Sequence, residues 1–285
     1  MKRIIAWGIA VVALAAICIW GSSCIEKSGG PTANQETTFE KIQRTGVLNV
    51  GYIPYPPAVI KDETTGEVSG DFVELARYIA KELDLKLVFH EVDWSTFTAG
   101  LQNHQYDLSI SCTYIKVGRA AKVAFSRPIA YLGQSAGVRK NDSRFDHVKD
   151  AMEFDQKGVV VAVVSGESSH EYVESHFTKA TIRELSGADL TAPLALVASG
   201  QADVAMTDAY VTRKFCEQQP EIRDVFADNP YDLAPMAWAV RPTDFRLLNF
   251  VNNAIETCEA SGKLRQWSEK YDAHWVHRSP GWTTW

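Results

Sequence analysis

The segment GVVVAVVSGESS, residues 158–169, decides the fold class of this chain. Its almost uninterrupted run of valine is typical of a strand in a sheet that is covered on both faces. Small polar residues mark the end of that strand, and residues 170–177 have the pattern of a helix. A strand that leads into a helix in this way predicts an α/β sheet with right-handed crossover connections.

The same alternation of strands and helices extends on both sides of this segment. Period-two or continuous apolar runs predict further strands at residues 47–53, 85–92, 107–111 and 203–206. A hairpin is predicted where residues 59–61 and 68 flank the turn at 65–67. Helical spacing predicts helices at 71–83, 95–102, 190–199 and 263–271, and another that is capped by Thr243.

Three of the predicted strands end in residues that suit ligand binding. Arg119 follows the strand at 107–111, the hydroxyls of the SGESS turn follow the strand at 158–164, and Asp208 ends the strand at 203–206. In α/β proteins, anions collect at strand carboxyl ends and helix amino ends. Arginine also offers a planar fork that matches a carboxylate. Each feature alone fits an ordinary surface arginine or helix cap equally well.

Together, the three clusters resemble the family 3 extracellular solute-binding proteins, which are receptors for polar amino acids in ABC import systems. The resemblance extends from about residue 38 to residue 275 and depends most on the segments AKVAFSRPIAY, SGESS and SGQADVAMTDAY. It implies an α/β protein with the two-lobed periplasmic-binding-protein type II fold. Each lobe is then a mixed sheet flanked by helices, and two hinge strands join the lobes.

The resemblance also implies the division of the chain. We expect lobe 1 to comprise residues 38–132 and 236–278, lobe 2 to comprise 133–235, and a tail at 279–285. The hinge strands are expected near 131–138 and 234–240. The implied function is that of an extracytoplasmic receptor that binds a small molecule and delivers it to an ABC permease in the membrane. No cofactor, metal or catalysis is expected, and we predict a monomer.

The family's charged ligand contacts correspond to residues of this chain by spacing. Asp107 and Arg119 are 12 residues apart, as are the strand aspartate and the carboxylate-binding arginine of the family. Asp203 and Asp208 keep the family's spacing of five, which assigns Asp208 to the ligand ammonium group. Ser168 corresponds to a hydroxyl that assists the arginine.

Four further positions carry over from the family. Tyr55 matches an aromatic residue that lies over the ligand, and Phe97 matches an apolar pocket residue. Ser111 and Cys112 match the strand-end residues whose backbone carbonyls face the ligand.

Two departures from the family pattern lie at predicted ligand contacts. The family usually has serine or threonine where this chain has Tyr114, and a small or polar residue where it has Glu167. The usual order Gly-Phe-Asp is also changed, at residues 70–72, to Gly-Asp-Phe. Rings from Tyr55, Phe97 and Tyr114 favour a polar or aromatic amino acid. We rank a cationic amino acid second, because Ile53 stands where relatives that bind basic amino acids often have an acid. An acidic amino acid comes third, because Glu167 would repel it.

Other classes of function compete with the receptor. Some proteins similar to this family are periplasmic dehydratases that act on cyclohexadienyl acids such as prephenate or arogenate. In such an enzyme Glu167 would be the proton donor. A ligand-sensing partner of a membrane receptor is a further alternative. The segment GQSAG, residues 133–137, matches the hydrolase motif G-x-S-x-G, but the polar residues after it do not suit the helix that a nucleophilic Ser135 needs.

The amino-terminal segment is typical of an export signal. Lys2 and Arg3 precede an apolar run at residues 4–20 and the small residues before Cys24. Residues 1–23 are therefore predicted to be a signal peptide, Cys24 a lipid-attachment site, and residues 24–37 a tether. An ordinary cleaved signal and a retained membrane anchor remain open, since Gly21 replaces the leucine that is usual in bacterial lipoproteins. We expect a periplasmic or outer-face location, with the protein anchored to the membrane by its lipid.

Composition excludes several classes of partner and site. The formal net charge is −6 and the chain has no basic run, so nucleic-acid binding is not expected. The sequence has five cysteines but no C-x-x-C pair, and His274 and His277 have no third ligand nearby, so no metal site is predicted.

Overall fold

A computed structural model of the chain describes residues 36–273. The predicted signal at 1–23, Cys24 and the tail at 279–285 lie outside these residues. Within the described range, no helix is long and apolar enough to cross a membrane.

Helices and strands alternate along the described chain. The helices are α1 (Thr38–Thr45), α2 (Asp71–Glu82), α3 (Phe97–Gln102), α4 (Val117–Ala120), α5 (Ser168–His176), α6 (Ala192–Ala198), α7 (Ala209–Gln218), α8 (Phe245–Ala260) and α9 (Lys263–Lys270). The strands are β1 (Val47–Tyr52), β2 (Ile60–Lys61), β3 (Val68–Ser69), β4 (Lys86–Glu91), β5 (Leu108–Tyr114), β6 (Ala124–Phe125), β7 (Ala130–Arg139), β8 (Val160–Val164), β9 (Thr181–Leu185), β10 (Val204–Asp208), β11 (Ile222–Asp224) and β12 (Tyr231–Val240). Short 3-10 helices lie at Ser143–Phe145 and Ala151–Phe154.

The main sheet has the strand order β4-β1-β5-β12-β7-β10-β8-β9, with β6 paired to β12 and β11 paired to β7. In the first half, β1 is parallel to β4 and β5. In the second half, β8 is parallel to β9 and β10. The long central strands β12 and β7 are antiparallel to each other and to their outer neighbours β5 and β10. The mixed α/β architecture predicted from the sequence is confirmed.

The valine-rich strand β8 is covered on both faces, as its composition predicted. Val161 and Val163 pack in a cluster with Met206 on one face. Ala162 packs with Leu194 on the other. All of these side chains are fully buried, and burial of each large aliphatic chain contributes about 1.5–3 kcal/mol. A strand of this kind holds the turn that follows it in a fixed position.

The ends of two elements, α8 and β5, differ from the predicted ends because contacts with distant parts of the chain determine where these elements begin or stop. Helix α8 begins at Phe245, so Asp244 instead of Thr243 occupies its N-cap position, without a capping hydrogen bond to its side chain. Asp244 is held there because its carboxylate pairs with Nε of Arg241 at 2.8 Å and accepts a hydrogen bond from Thr38 at 2.6 Å. Strand β5 extends to Tyr114, beyond the predicted end at residue 111, because β12 pairs with it through Met236.

The G-x-S-x-G segment has no nucleophile geometry. Ser135 lies in the interior of β7, opposite Thr207 of β10, and its hydroxyl donates to Asp224. A hydrolase nucleophile requires a sharp turn from a strand into a helix, and here the strand continues to Arg139. The structure therefore contradicts the hydrolase alternative.

Candidate ligand-binding site

A narrow cavity of about 10 Å³ lies between the ends of β5 and β10, one strand from each half of the sheet. This volume is below the roughly 300–1,000 Å³ of ordinary ligand pockets. Its lining consists of Tyr55, Trp94, Cys112, Tyr114, Arg119, Glu167, Ser168, Leu190 and Asp208. The structure thus brings together seven of the nine ligand-binding residues predicted from the sequence. The other two, Phe97 and Ser111, are not among the lining residues.

Arg119 supplies the positive charge of the cavity and is only 5% exposed. Its Nε donates to Oε1 of Glu171 at 2.8 Å, and its Nη2 donates to the carbonyl oxygen of Gly166 at 2.9 Å. The guanidinium lies 5.9 Å from the ring centroid of Phe97. Phe97 therefore supports the arginine through a cation–π contact. The predicted contact of Phe97 with the ligand stays a prediction.

Asp208 is the acidic residue that ends β10 at the cavity, and its side chain caps helix α7. Its Oδ1 accepts hydrogen bonds from the backbone N–H groups of Tyr210 and Val211 at 2.9 and 3.1 Å. Its Oδ2 accepts the hydroxyl of Tyr114 at 2.7 Å. Burial raises the pKa of Asp208, while hydrogen bonds from Tyr114 and Tyr55 oppose that rise.

The two cavity tyrosines remain hydrogen-bond donors over the ordinary pH range. Burial, followed by the nearby charge of Asp208, raises the pKa of both Tyr55 and Tyr114 well above 10. Cys112 also lines the cavity, and burial raises the pKa of its thiol well above the ordinary value. None of these three groups contributes a negative charge to the site.

Glu167 is a second buried carboxyl at the cavity and caps helix α5. Its Oε2 accepts the backbone N–H of Ser169 at 2.6 Å, and its Oε1 accepts Nε2 of Gln134 at 3.1 Å. Gln134 in turn accepts the hydroxyl of Ser169. Burial raises the pKa of Glu167 to about 7, and the charge of Asp208 adds to the rise. This carboxyl can therefore hold or release a proton near neutral pH.

Some parts of the site were not found from the sequence. Trp94 lines the cavity, and its position three residues before Phe97 was the one available signal. Leu190 and Gln134 gave no signal, because only the folded chain brings them to the site. Ser111 lies one residue before Cys112 on β5, and its hydroxyl contacts Ser109 at 3.4 Å. The predicted role of its backbone carbonyl stays a prediction.

The described residues offer no alternative chemistry based on metals or disulfides. Between residues 36 and 273, no group of three His, Cys, Asp or Glu side chains could hold a metal ion. Cys112, Cys216 and Cys258 are free thiols. His274 and His277 lie outside the described residues.

The chain is similar to known proteins over most of its length. The profile of the bacterial extracellular solute-binding proteins, family 3, matches residues 48–274. The chain is 27% identical to the cyclohexadienyl dehydratase of Pseudomonas aeruginosa over 93% of both chains. It is 24% identical to the ABC transporter glutamine-binding protein of Bacillus subtilis, over 78% of this chain and 77% of that one.

The fold is also similar to that of a solved structure. The ancestral amino acid-binding protein described as a precursor of cyclohexadienyl dehydratase superposes with a TM-score of 0.73 at 30% sequence identity. The match covers 82% of this chain and 99% of that one.

Proposed function

The chain belongs to the bacterial extracellular solute-binding proteins, family 3, and we propose that it is the extracytoplasmic receptor of an ABC importer for an amino acid. The solute is held between two lobes, and no chemical change of the solute is required. The proposed lobes are the two halves of the sheet with their helices, joined by β7 and β12. A membrane permease then accepts the solute from the closed form.

One observation carries this proposal: a basic and an acidic side chain, one from each half of the sheet, line the same cavity. Arg119 follows β5 of the first half, and Asp208 ends β10 of the second half. A zwitterion has a carboxylate for the first and an ammonium group for the second. Because each half supplies one partner, such a solute is bound more tightly by the closed form than by an open one. That difference in affinity is what drives closure.

The side chains that line the cavity favour some amino acids over others. Tyr55, Trp94 and Tyr114 surround the site with aromatic rings, while Glu167 supplies a hydrogen-bonding carboxyl. These groups support a polar or aromatic amino acid as the first candidate and a cationic one as the second. A thermal-shift screen of the purified protein with amino acids and small carboxylates tests the proposal. We expect one or more amino acids to raise the melting temperature, since a ligand of the native state stabilises it by mass action.

We further propose that the protein is exported and held at the membrane by a lipid on Cys24. The support is the sequence pattern of residues 1–24 and the extracellular location of the family.

A second candidate function is that of a cyclohexadienyl dehydratase. The specific observation in its favour is Glu167, a carboxyl in the cavity whose pKa of about 7 suits a general acid. The 27% identity to the Pseudomonas enzyme adds weight. Incubation of the protein with prephenate and with arogenate, followed by detection of the dehydrated products, tests this candidate. Turnover that is lost in Glu167→Gln would replace the receptor role by the enzymatic one.

A further inference from the structure

A closed ring of buried hydrogen bonds lies beside the cavity and includes one of its lining residues, Glu167. The backbone N–H of Ser169 donates to Oε2 of Glu167 at 2.6 Å, and Nε2 of Gln134 donates to Oε1 at 3.1 Å. The Ser169 hydroxyl donates to Oε1 of Gln134 and completes the ring. Gln134 and Ser169 are fully buried. Each member of the ring is therefore oriented by the other two.

Gln134 is fixed at the centre of the sheet by strand pairing on both sides. On β7 it is the register partner of Asp208 in β10 and of Tyr231 in β12. A side chain that extends from the interior of a sheet is placed more precisely than one on a loop. The amide of Gln134 therefore reaches Glu167 from a rigid element, and the carboxyl inherits that orientation.

The orientation of the Gln134 amide determines how the carboxyl of Glu167 acts. Because the Ser169 hydroxyl donates to the amide oxygen, Gln134 presents its N–H group to Glu167. The backbone N–H of Ser169 can only donate. Both oxygens of Glu167 are thus acceptors, and an ionised carboxyl has about four acceptor positions. At least one of these positions is left for a donor in the cavity.

Donors of the cavity lining have acceptors other than Glu167. The Tyr114 hydroxyl donates to Asp208 at 2.7 Å, and Nε of Arg119 donates to Glu171 at 2.8 Å. A solute that donates to Glu167 gains a charge-assisted hydrogen bond, which an apolar side chain cannot make.

We propose that Gln134 is a positioning residue for Glu167, and that the solute donates a hydrogen bond from its side chain to the Glu167 carboxylate. The second part rests on the proposed function, whereas the positioning of Glu167 by Gln134 does not. The solute class is thereby narrowed to amino acids whose side chain bears an N–H or O–H group. Aliphatic amino acids lack the donor, and acidic ones bring a like charge.

Titration calorimetry with the twenty amino acids, and with an apolar counterpart of the best one, tests the solute class. Suitable counterparts are valine for threonine, methionine for glutamine and norleucine for lysine. We expect the tightest ligand to carry a side-chain donor and to bind at least about ten times more tightly than its counterpart. An aliphatic amino acid as the tightest ligand, or equal affinity of the two counterparts, would overturn the solute class.

Carbon-13 NMR titration of the Glu167 carboxyl tests the positioning role without added solute. The resonance is identified by its loss in Glu167→Gln. In the wild type the pKa of Glu167 is about 7. It should be higher in Gln134→Met, because the carboxylate loses a donor, and also in Gln134→Asn, whose amide is too short to reach. Gln156→Met is the matched control, since the Gln156 amide donates to the carbonyl of Glu153 at the surface.

The charged and titratable groups that face Glu167 are the same in these variants. Asp208 raises the pKa of Glu167 and Arg119 lowers it. Tyr114 and Tyr231 also face it, and burial raises the pKa of both hydroxyls well above 10. A pKa difference between a variant and the wild type is therefore assigned to the lost amide. Equal pKa values in Gln134→Met and the wild type would overturn the positioning role.

The pH dependence of binding distinguishes positioning from a general disturbance of the fold. In Gln134→Met, the preference for the amino acid with a donor should fall at about pH 7, where less of the carboxyl is ionised, and return at about pH 8.5. An equal loss at both pH values would contradict positioning. If no amino acid binds the wild type, the proposed function fails together with the solute class. The NMR titration then decides the positioning role by itself.

Discussion

Arg119 is the residue on which ligand affinity is expected to depend most. Its guanidinium is buried, rests over Phe97 and is the one cationic group among the nine residues that line the cavity. Removing one partner of a buried charge pair costs about 3–5 kcal/mol. Arg119→Ala should therefore weaken binding of the best solute by a factor of at least about 100. Calorimetry gives the number, with Arg127→Ala, whose side chain pairs with Glu256 on the surface, as the control.

Glu167 makes the stability of the protein depend on pH. Its pKa is near 7 when folded and near 4.5 ordinarily, so the folded protein binds this proton more tightly than the unfolded chain does. The contribution of Glu167 to stability is then fully present below about pH 4.5 and is lost as the pH rises to about 7. The loss is on the order of 3 kcal/mol.

Denaturant unfolding at pH 5 and pH 8 measures this effect. Glu167→Gln has no proton to lose, so its free energy of unfolding should fall less than that of the wild type between the two pH values. Identical pH dependence in both proteins would show that Glu167 is not the group responsible.

Most residues of the site could be predicted because the family spacing fixes them along strands that end at the cavity. Arg119, Ser168 and Asp208 are examples. Trp94 and Leu190 could not, because they reach the cavity from loops whose position depends on the whole fold. The cation–π contact between Arg119 and Phe97 could not be predicted from the sequence either, because it depends on the distance between the two side chains in the folded chain.

At the scale of elements, the turn between β8 and α5 is expected to control closure. Gly166 has a φ of +76°, and its Cβ position is blocked by backbone atoms of Trp94 and Ser95 that no side-chain rotation can relieve. Gly166→Ala should therefore oppose closure, and its radius of gyration with solute present should be larger than that of the wild type. Gly187→Ala is the matched control, since Gly187 also has a positive φ of +64° but open space around it.

The Gly187→Ala control distinguishes the collision of the new Cβ atom with the backbone of Ser95 from the strain of a positive φ angle, because only the second is present at Gly187. Gly187→Ala should cost roughly 1 kcal/mol for the left-handed conformation alone and leave the radius unchanged. A Gly166→Ala protein that is as compact as Gly187→Ala would argue against contact between the halves at this turn.

Helices and strands with a strong apolar period could be predicted from the sequence. Elements that form mainly by pairing with a neighbouring strand could not. Apolar periodicity predicted β1 and α2, which pack in one core cluster, and β8, whose valines pack in another. Strand β9 was missed because its residues are mostly exposed or half-buried and it forms by pairing with β8. Helix α5 starts earlier than predicted because the side chain of Glu167 caps it through the backbone N–H of Ser169.

For the whole molecule, membrane attachment is a separate and testable part of the proposal. Residues 1–24 carry a charged tip, an apolar run and a cysteine after small residues. If Cys24 bears the lipid, Cys24→Ala should move the protein from the membrane fraction of the native host to the soluble extracytoplasmic fraction. Cys216→Ala, which changes a free thiol in the described part of the chain, should leave fractionation unchanged. A Cys24→Ala protein that stays with the membrane would contradict lipid anchoring.

The central claim is that the protein binds a zwitterion between Arg119 and Asp208. Calorimetric titration of the wild type and of Asp208→Asn with the same amino acid, and with the matching acid that lacks the amino group, tests it most directly. We predict that Asp208→Asn lowers affinity for the amino acid by at least about 100-fold, because the buried ammonium loses its counter-charge. The same change should leave affinity for the plain acid equal or higher. Equal affinity of both proteins for the amino acid would contradict the claim.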